Sequence, residues 1–273
     1  MSRVRTLAAH GVLILGVLVS VFPFYWMIVL ATNTTGDTFR FPPKLTLGPR
    51  LFENLGRVFG NIDFFGSMLN TVIVATATTV LVLFFDSLAA FAFAKFDFPG
   101  KRVLFVVLLG TFMIPAQLNA IPQFVVVSQL GWAGSLNALI VPAAANAFGI
   151  FWMRQYIEGA VPEELLDAGR LDGCGFFRLY WHVALPVLRP ALAFLGIFTF
   201  ITAWNDYLWP LVVLVDPGHL TLQVALSQLN SVHSTDYSMV MAGTLVAVLP
   251  LIVVFVLGAR NFVADLVKGA VRG

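Results

Sequence analysis

Three groups of polar residues interrupt a chain that is otherwise strongly apolar. In the densest group, between Glu163 and Gly173, acids alternate with small residues, a composition that lets a short helix approach a partner protein closely. Asp86 lies deep in an apolar run, where an ionisable side chain is either functional or a buried contact between helices. Asn205, Asp206 and Tyr207 combine hydrogen-bonding groups with neighbouring tryptophan rings, which suits the hydroxyls and ring faces of a sugar.

Other kinds of chemistry find little support in the sequence. No Gly-x-x-x-x-Gly-Lys-Ser/Thr loop surrounds any lysine, so ATP hydrolysis is not expected in this chain. The histidines, His10, His182, His219 and His233, are scattered without metal-ligand spacing. A lone cysteine, Cys174, excludes an internal disulfide and a cysteine-based zinc site. We therefore expect no catalytic residue, cofactor or metal within the chain.

The composition indicates a membrane protein. Of 273 residues, 59% are hydrophobic and only 11% are charged, whereas soluble domains carry roughly 25% charged residues. The apolar residues fall into runs of about 20, the length that a helix needs to cross a bilayer. The net charge of +2 gives no indication of nucleic-acid binding. The predicted fold is all-α and polytopic, with a single transmembrane domain over residues 1–273.

The apolar runs predict six transmembrane helices. They cover residues 11–32, 68–94, 103–127, 136–157, 187–211 and 238–259. Arg3 and Arg5 precede the first run as they would in a signal peptide, but that run is longer than a signal core and has no cleavage site after it. We expect it to be retained as a span.

The basic residues predict the orientation of these spans. With both termini in the cytoplasm, 12 of the 16 Lys and Arg residues lie inside and only four lie outside. The four outside residues are Arg40, Lys44, Arg50 and Arg57. This asymmetry is the one that the positive-inside rule expects. The outside then presents a loop from Asn33 to Gly66 and a second loop from Val212 to Asp236.

The polar group after Glu163 belongs to an inside segment over residues 158–186. Pro162 suits a helix start, and Glu163 and Glu164 lie in the first turn, where acids are favoured. Asp172-Gly173 is a turn pair that ends this helix. An apolar second segment then leads to Pro186, so we expect two short helices at the cytoplasmic surface.

This segment resembles the EAA loop of ATP-binding-cassette importer permeases, whose pattern is Glu-Ala-Ala, three residues, Gly, and a closing Leu-Pro. Asp167, Ala168 and Gly169 stand for Glu-Ala-Ala, Asp172-Gly173 supplies the glycine, and Leu185-Pro186 closes the pattern. The two departures, Asp for Glu and Gly for Ala, keep the charge and the small size. An ordinary interfacial helix is the alternative interpretation.

The resemblance implies the partners and the place of action. It implies a bacterial inner-membrane subunit that pairs with a second permease subunit, two ATPase subunits and an extracytoplasmic sugar-binding protein, all within membrane lipid. ATP and Mg²⁺ are then bound by the ATPase, and the EAA-like loop docks on it.

Further motifs resemble the oligosaccharide branch of these permeases, in particular the shorter maltose-type subunit. They are Asn54–Phe59, Asn70-Thr71, Ser87–Phe96, Pro115-Ala116-Gln117, Trp204–Pro210 and Gly269–Gly273. Import of a di- or oligosaccharide is the implied function. Import of a polyol or glycerol phosphate, and an ion-coupled sugar carrier that would use Asp86, are the alternatives.

Two candidate sites keep two interpretations each. Trp204, Asn205, Asp206 and Tyr207 either line a substrate pathway or form an aromatic belt at the outer membrane interface. Asp86 either serves a functional intramembrane site or joins two helices, and Ser87, which follows it, favours a close helix contact.

Overall fold

The computed structural model describes residues 3–230 and 235–270, with side chains for 9–115, 117–230 and 235–257. These residues form helices and turns and contain no strand. The helices are α1 Arg3–Thr32, α2 Thr35–Phe39, α3 Leu51–Asn61, α4 Phe64–Lys95, α5 Lys101–Phe112, α6 Ala120–Gln129, α7 Asn137–Ile140, α8 Ala147–Ala160, α9 Glu163–Leu171, α10 Phe176–Leu179, α11 Leu185–Val187, α12 Arg189–Asn205, α13 Leu208–Val213, α14 Leu222–Ser227 and α15 Tyr237–Ala270. His233 and the last three residues of the tail motif lie outside the described residues.

Three helices of the described chain are long and apolar enough to cross a membrane. They contain the stretches Ala9–Thr32, Phe64–Lys95 and Tyr237–Leu257. These stretches correspond to the first, second and last of the predicted runs. Uninterrupted apolar sequence favours continuous helix here, because a helix satisfies all its own backbone hydrogen bonds in lipid.

The other three apolar runs are interrupted. Lys101–Phe112 and Gln117–Gln129 form a pair bent by 93°, with Pro115 at the break, and Phe176–Val187 and Arg189–Asn205 form a pair bent by 83°. Run 136–157 contains the short α7 and the 14-residue α8. A helix of that length spans only about 21 Å, less than the hydrocarbon thickness.

One compact unit of the chain comprises Met1–Phe65 and Ala225–Leu249. Buried Asn54 of α3 organises it, because its side-chain amide donates to the carbonyls of Ala31 (2.9 Å) and Asn33 (3.0 Å) at the end of α1. The last carbonyls of a helix have no partner within the helix, so this amide stabilises the end of α1.

The second unit, Gly66–Val224 and Pro250–Gly273, contains two apolar cores. The larger core packs α4, α8 and α12 around Phe91, Met153, Leu166, Tyr180 and Leu195. A smaller one surrounds Leu139 and Val213. The larger core takes in the segment that carries the EAA-like motif.

Candidate functional site

The helix α9 ends in a motif that requires glycine. Gly173 has φ +77°, in the left-handed region, and its N–H donates to the carbonyl of Arg170 at 3.0 Å. The N–H of Cys174 donates to the carbonyl of Gly169 at 2.9 Å. These two bonds form a Schellman motif, which satisfies carbonyls at the end of the helix and turns the chain sharply.

Gly169 lets α9 pack tightly against the second half of the segment. A Cβ atom at this position would lie 2.6 Å from Leu179 Cδ2 and 3.5 Å from Val183 Cγ2. Leu166, one turn earlier, is also buried. The two short helices therefore fold onto each other, and the small residue is needed on the inner face of α9.

The outer face of α9 is a stripe of exposed residues. Glu164, Asp167, Ala168 and Leu171 are spaced i, i+3, i+4 and i+7, so they share one side of the helix, and all are exposed. Leu171 is 90% exposed. Asp167 accepts a 2.7 Å hydrogen bond from the guanidinium of Arg170. Acidic, small and apolar side chains thus lie side by side on one accessible surface.

The last turns of α4 hold this segment in place. The oxygens of Ser87 and Tyr180 lie 2.7 Å apart, the Phe91 ring packs against Tyr180 (5.8 Å between centroids), and Lys95 Nζ lies 3.0 Å from Glu163 Oε1. The Lys95 side chain is only 6% exposed. The sequence indicated Ser87 only as part of a close helix contact and did not indicate Phe91 or Lys95 as contacts of this segment, although their i, i+4, i+8 spacing places them on one helix face.

The segment joins the following helix through Leu185-Pro186. A π-helical turn, Tyr180–Ala184, precedes α11, and the chain then bends into α12. Pro186 is the second residue of α11 and is exposed, and Leu185 before it is half-buried. The bend into α12 lies at Leu188, between Val187 and Arg189.

Asp86 lies in the interior at the start of α8. Its side chain is fully buried, and its Oδ1 accepts the N–H of Asn146 at 3.0 Å. The amide oxygen of Asn146 in turn accepts the N–H of Gly149 at 2.8 Å and caps α8. Asp86 Oδ2 occupies the space that a Cβ at Gly149 would need. The sequence did not indicate Asn146 or Gly149 as partners of this acid, because they are 60 residues away or more.

A cavity of about 300 Å³ includes one of the four predicted pathway residues. Asp206 lines it together with Gln117, Gln123 and Trp209. Among the described residues, the lining contains no lysine or arginine. This is a small polar pocket with one aromatic wall.

The other three predicted pathway residues lie elsewhere. Trp204 is 1% exposed and its ring stacks against Phe200. The amide of Asn205 donates to the carbonyl of Ile201 on its own helix, and Tyr207 is exposed without lining the cavity. In the part of the chain that is described, no three His, Cys, Asp or Glu side chains converge as metal ligands.

The family assignment rests on more than half of the chain. Residues 87–267 match the family described as binding-protein-dependent transport system inner membrane component. The chain belongs to this family. It is therefore an inner-membrane transport permease, and the family is one of transporters rather than enzymes.

Named permeases match this permease over nearly its whole length. It is 35% identical to the lactose transport system permease protein of Rhizobium radiobacter, over 99% of this chain and 97% of the relative. It is 31% identical to an arabinooligosaccharide permease of Bacillus subtilis, over 94% and 92%. It is also 34% identical to an sn-glycerol-3-phosphate permease of Yersinia pestis, over 94% of each chain.

A solved structure shares the fold of this permease. The match is to a chain in the crystal structure of a bacterial ABC transporter involved in the import of the acidic polysaccharide alginate. The TM-score is 0.82 at 25% sequence identity, covering 96% of this chain and 99% of the other. The resemblance expected from the EAA-like residues is thus confirmed at the level of the family.

Proposed function

We propose that the permease is a six-span subunit of an ATP-driven importer, in which α9 docks on a separate ATPase and transmits its closure to the spans. The observation that carries this proposal is the construction of the α9 segment. Its outer face is exposed, with a small residue, Ala168, at its centre, while its inner face is locked to α4 through Tyr180 and Glu163.

The mechanical argument follows from these contacts. A docking helix transmits motion only if it is held rigidly against the membrane spans, so that it does not move independently of them. The buried hydrogen bond at Tyr180 and the largely buried Lys95 ammonium make this join, since both have few alternative partners in the interior. Movement of α9 therefore carries the end of α4 with it. The proposed partners are two ATPase subunits, which bind ATP and Mg²⁺, and a second permease subunit.

The proposed topology has both termini in the cytoplasm. The three long helices support three spans, and we assign two more to the bent pair Lys101–Phe112 with Gln117–Gln129 and to the helix Arg189–Asn205. The run 136–157, with α8 at its inner end, is the remaining span and the fourth in chain order. The distribution of Lys and Arg supports a cytoplasmic position for the α9 segment, on the side where ATP is available.

The proposed cargo is a neutral di- or oligosaccharide that an extracytoplasmic binding protein delivers. Two of the named relatives carry sugars in their names, and one carries glycerol phosphate. The cavity at Asp206 favours the sugar, because its lining presents a carboxylate and two glutamines without a cation to hold a phosphate. Amide and carboxylate groups hydrogen-bond to hydroxyls, and the Trp209 ring offers a face for stacking.

The docking surface is tested with two substitutions at one exposed position. Ala168→Trp adds bulk where the ATPase must approach closely, whereas Ala168→Ser keeps the residue small. We expect the tryptophan variant to insert normally but to lose copurification of the ATPase and sugar-stimulated ATP hydrolysis, and the serine variant to retain both. A tryptophan variant that assembles and transports fully would refute docking through this face.

The cargo is tested on the reconstituted complex with its binding protein. ATP hydrolysis is measured across a panel of saccharides, polyols and sn-glycerol 3-phosphate. Asp206→Ala should weaken stimulation by the preferred saccharide, whereas Asn205→Ala, whose side chain bonds to its own helix, should not. Stimulation by glycerol phosphate alone would contradict the proposed cargo and leave the docking result standing.

A further inference from the structure

A second cavity, of about 720 Å³, opens at the hairpin between α4 and α5. Its lining includes three cations, Lys101, Arg102 and Arg154, and one acid, Asp97. Arg154 comes from α8, so the cavity is shared between the hairpin and a neighbouring helix. The coupling role of α9 and the sugar cavity make no use of it.

The cations of this cavity are incompletely neutralised. Lys101 Nζ lies 3.1 Å from Asp97 Oδ1, but that carboxylate is fully exposed, so water screens the pair. Arg154 pairs with Glu158 at 2.5 Å. Arg102 is exposed and has no acidic partner among the described residues. The cluster therefore has a net positive charge and at least one guanidinium available to an anion.

The remaining wall of the cavity is apolar and aromatic. The Phe93 ring packs against those of Phe98 and Phe105, at 5.6 Å and 5.5 Å between centroids. The Arg154 guanidinium lies 4.3 Å above the Phe105 ring, a cation–π contact that fixes its position. Val103 and Val106 extend this wall along α5 and are both strongly exposed. The basic side chains of the cavity thus lie directly beside an exposed apolar surface.

These observations identify the chemistry of the ligand. An anion alone needs cations, and an acyl chain alone needs an apolar face, but this cavity offers both within a few ångströms. Arginine forms forked hydrogen bonds to phosphate oxygens, and basic pockets beside membrane-spanning helices on the cytoplasmic side suit anionic headgroups. A soluble acidic protein surface would not use the exposed valines of α5, which begin the predicted apolar run 103–127.

We propose that this cavity binds the headgroup of an anionic phospholipid of the cytoplasmic leaflet. Its phosphate contacts Arg102 and Arg154, and its acyl chains follow Val103 and Val106 along α5. The inference rests on the topology given under the proposed function, which places the hairpin inside. A bound lipid joins the hairpin to α8, and α8 leads through Val161 and Pro162 into α9, the proposed docking helix.

The test uses the purified, complete transporter in detergent, titrated with fluorescent-tailed phosphatidylglycerol or phosphatidylcholine. We expect phosphatidylglycerol to bind more tightly than phosphatidylcholine. Arg102→Gln should weaken phosphatidylglycerol binding about fivefold, as expected for one basic residue near a membrane surface, and Arg102→Lys should retain most of the affinity. Arg40→Gln removes the same charge from the outer loop and should leave binding unchanged.

Two controls test whether the bound phosphate belongs to a lipid or is free phosphate, and whether another subunit covers the cavity. Inorganic phosphate at millimolar concentration should not displace the lipid; full displacement would make free phosphate the ligand and overturn the proposal. Equal binding of both lipids, or an Arg102→Gln variant with unaltered affinity, would also overturn it. A Val103→Cys variant that cross-links to another subunit in the intact complex would overturn it as well. Sugar-stimulated ATP hydrolysis, measured in parallel, reports separately on the proposed function.

Discussion

Ser87 Oγ and the Tyr180 hydroxyl lie 2.7 Å apart in the protein interior and join α4 to the π-helical turn Tyr180–Ala184. Ser87 Oγ also donates to the carbonyl of Leu83, so the Tyr180 hydroxyl is the donor between the two side chains. Tyr180 is almost fully buried, and Ser87 is its only hydrogen-bond partner among the described residues. Loss of the Ser87 hydroxyl and loss of the Tyr180 hydroxyl should therefore lower the free energy of unfolding by different amounts.

Removing either partner of this bond should have different consequences. Ser87→Ala leaves a buried phenol hydroxyl without an acceptor and should lower the free energy of unfolding by about 1–3 kcal/mol. Tyr180→Phe leaves Ser87 still bonded to Leu83 and should cost only about 1 kcal/mol. Thermal unfolding of the purified complex, with uptake measured alongside, compares the two. A Tyr180→Phe variant that is less stable than Ser87→Ala would contradict this direction of donation.

Gly173 provides a test of the turn that ends α9. A Cβ at Gly173 meets no atom within 4 Å, so a substitution there is strained through its positive φ and not through a clash. A left-handed conformation costs about 1–2 kcal/mol for an ordinary residue, but less for asparagine. We expect Gly173→Val to abolish uptake with membrane insertion intact, and Gly173→Asn to retain much of it.

The measurement for Gly173 is uptake by cells whose membranes contain equal amounts of each variant. Equal uptake by the valine and asparagine variants would show that the left-handed turn does not matter for coupling. Cys174→Ser serves as a neighbouring control, since Cys174 contributes its backbone N–H to the motif and serine retains that group.

The glycine turn and the long spans are features that local sequence determines. Asp172-Gly173 ends a helix because few residues other than glycine adopt the left-handed conformation, and apolar runs without breaks form continuous helices. The interruption of residues 136–157 before α8 was not predicted. Asn146 caps α8 there and is held by Asp86 from α4, and such a contact depends on packing between residues far apart in sequence.

The arrangement of the four residues proposed for a substrate pathway could not be read from the sequence for the same reason. Trp204, Asn205, Asp206 and Tyr207 are consecutive, but a helix ends at Asn205 and the chain turns at Asp206. Consecutive residues on a helix point in different directions, so only Asp206 reaches the cavity that Gln123 also lines. The direction of each side chain depended on where the helix ended, which composition alone does not show.

Asp86 and Gly149 form a pair whose fit can be tested from both sides. Asp86→Asn keeps an oxygen that accepts the Asn146 N–H, so we expect it to insert and transport. Asp86→Leu leaves that N–H unpaired, and Gly149→Ala places a methyl group where the carboxylate lies. Each of these two should lower the free energy of unfolding by about 1–3 kcal/mol. Thermal unfolding and uptake are measured for all three variants.

The Asp86→Asn variant also distinguishes a structural role of Asp86, holding α8, from a role in ion-coupled transport. A carboxylate that carries a proton or sodium ion cannot be replaced by an amide without loss of transport. An Asp86→Asn protein that folds normally and assembles, yet transports nothing, would therefore show that Asp86 has a functional role beyond holding α8.

Asp236 joins three parts of the first unit. Its Oδ1 accepts hydrogen bonds from Thr35 Oγ1 (2.7 Å) and from the N–H groups of Ser238 and Met239 (both 3.1 Å), and its Oδ2 lies 2.5 Å from Arg57 Nη2. Partial burial raises the pKa of Asp236, but the bonds from Thr35 and Met239 and the Arg57 guanidinium outweigh it. The pKa of Asp236 is therefore below its ordinary value of 3.8.

Acidification should consequently weaken this connection. A carboxyl whose pKa is lowered by folding contributes stability that is complete above the ordinary value of 3.8 and is lost as the pH falls through the lowered folded pKa. We expect the melting temperature of the purified permease to fall in that acidic window, and Asp236→Asn to reduce this pH dependence, because the amide still caps α15 but no longer titrates. Glu53→Gln, at an exposed ion pair with Arg50, should leave the profile unchanged, since exposed pairs contribute little. An Asp236→Asn variant with the wild-type acid profile would assign the effect to another group.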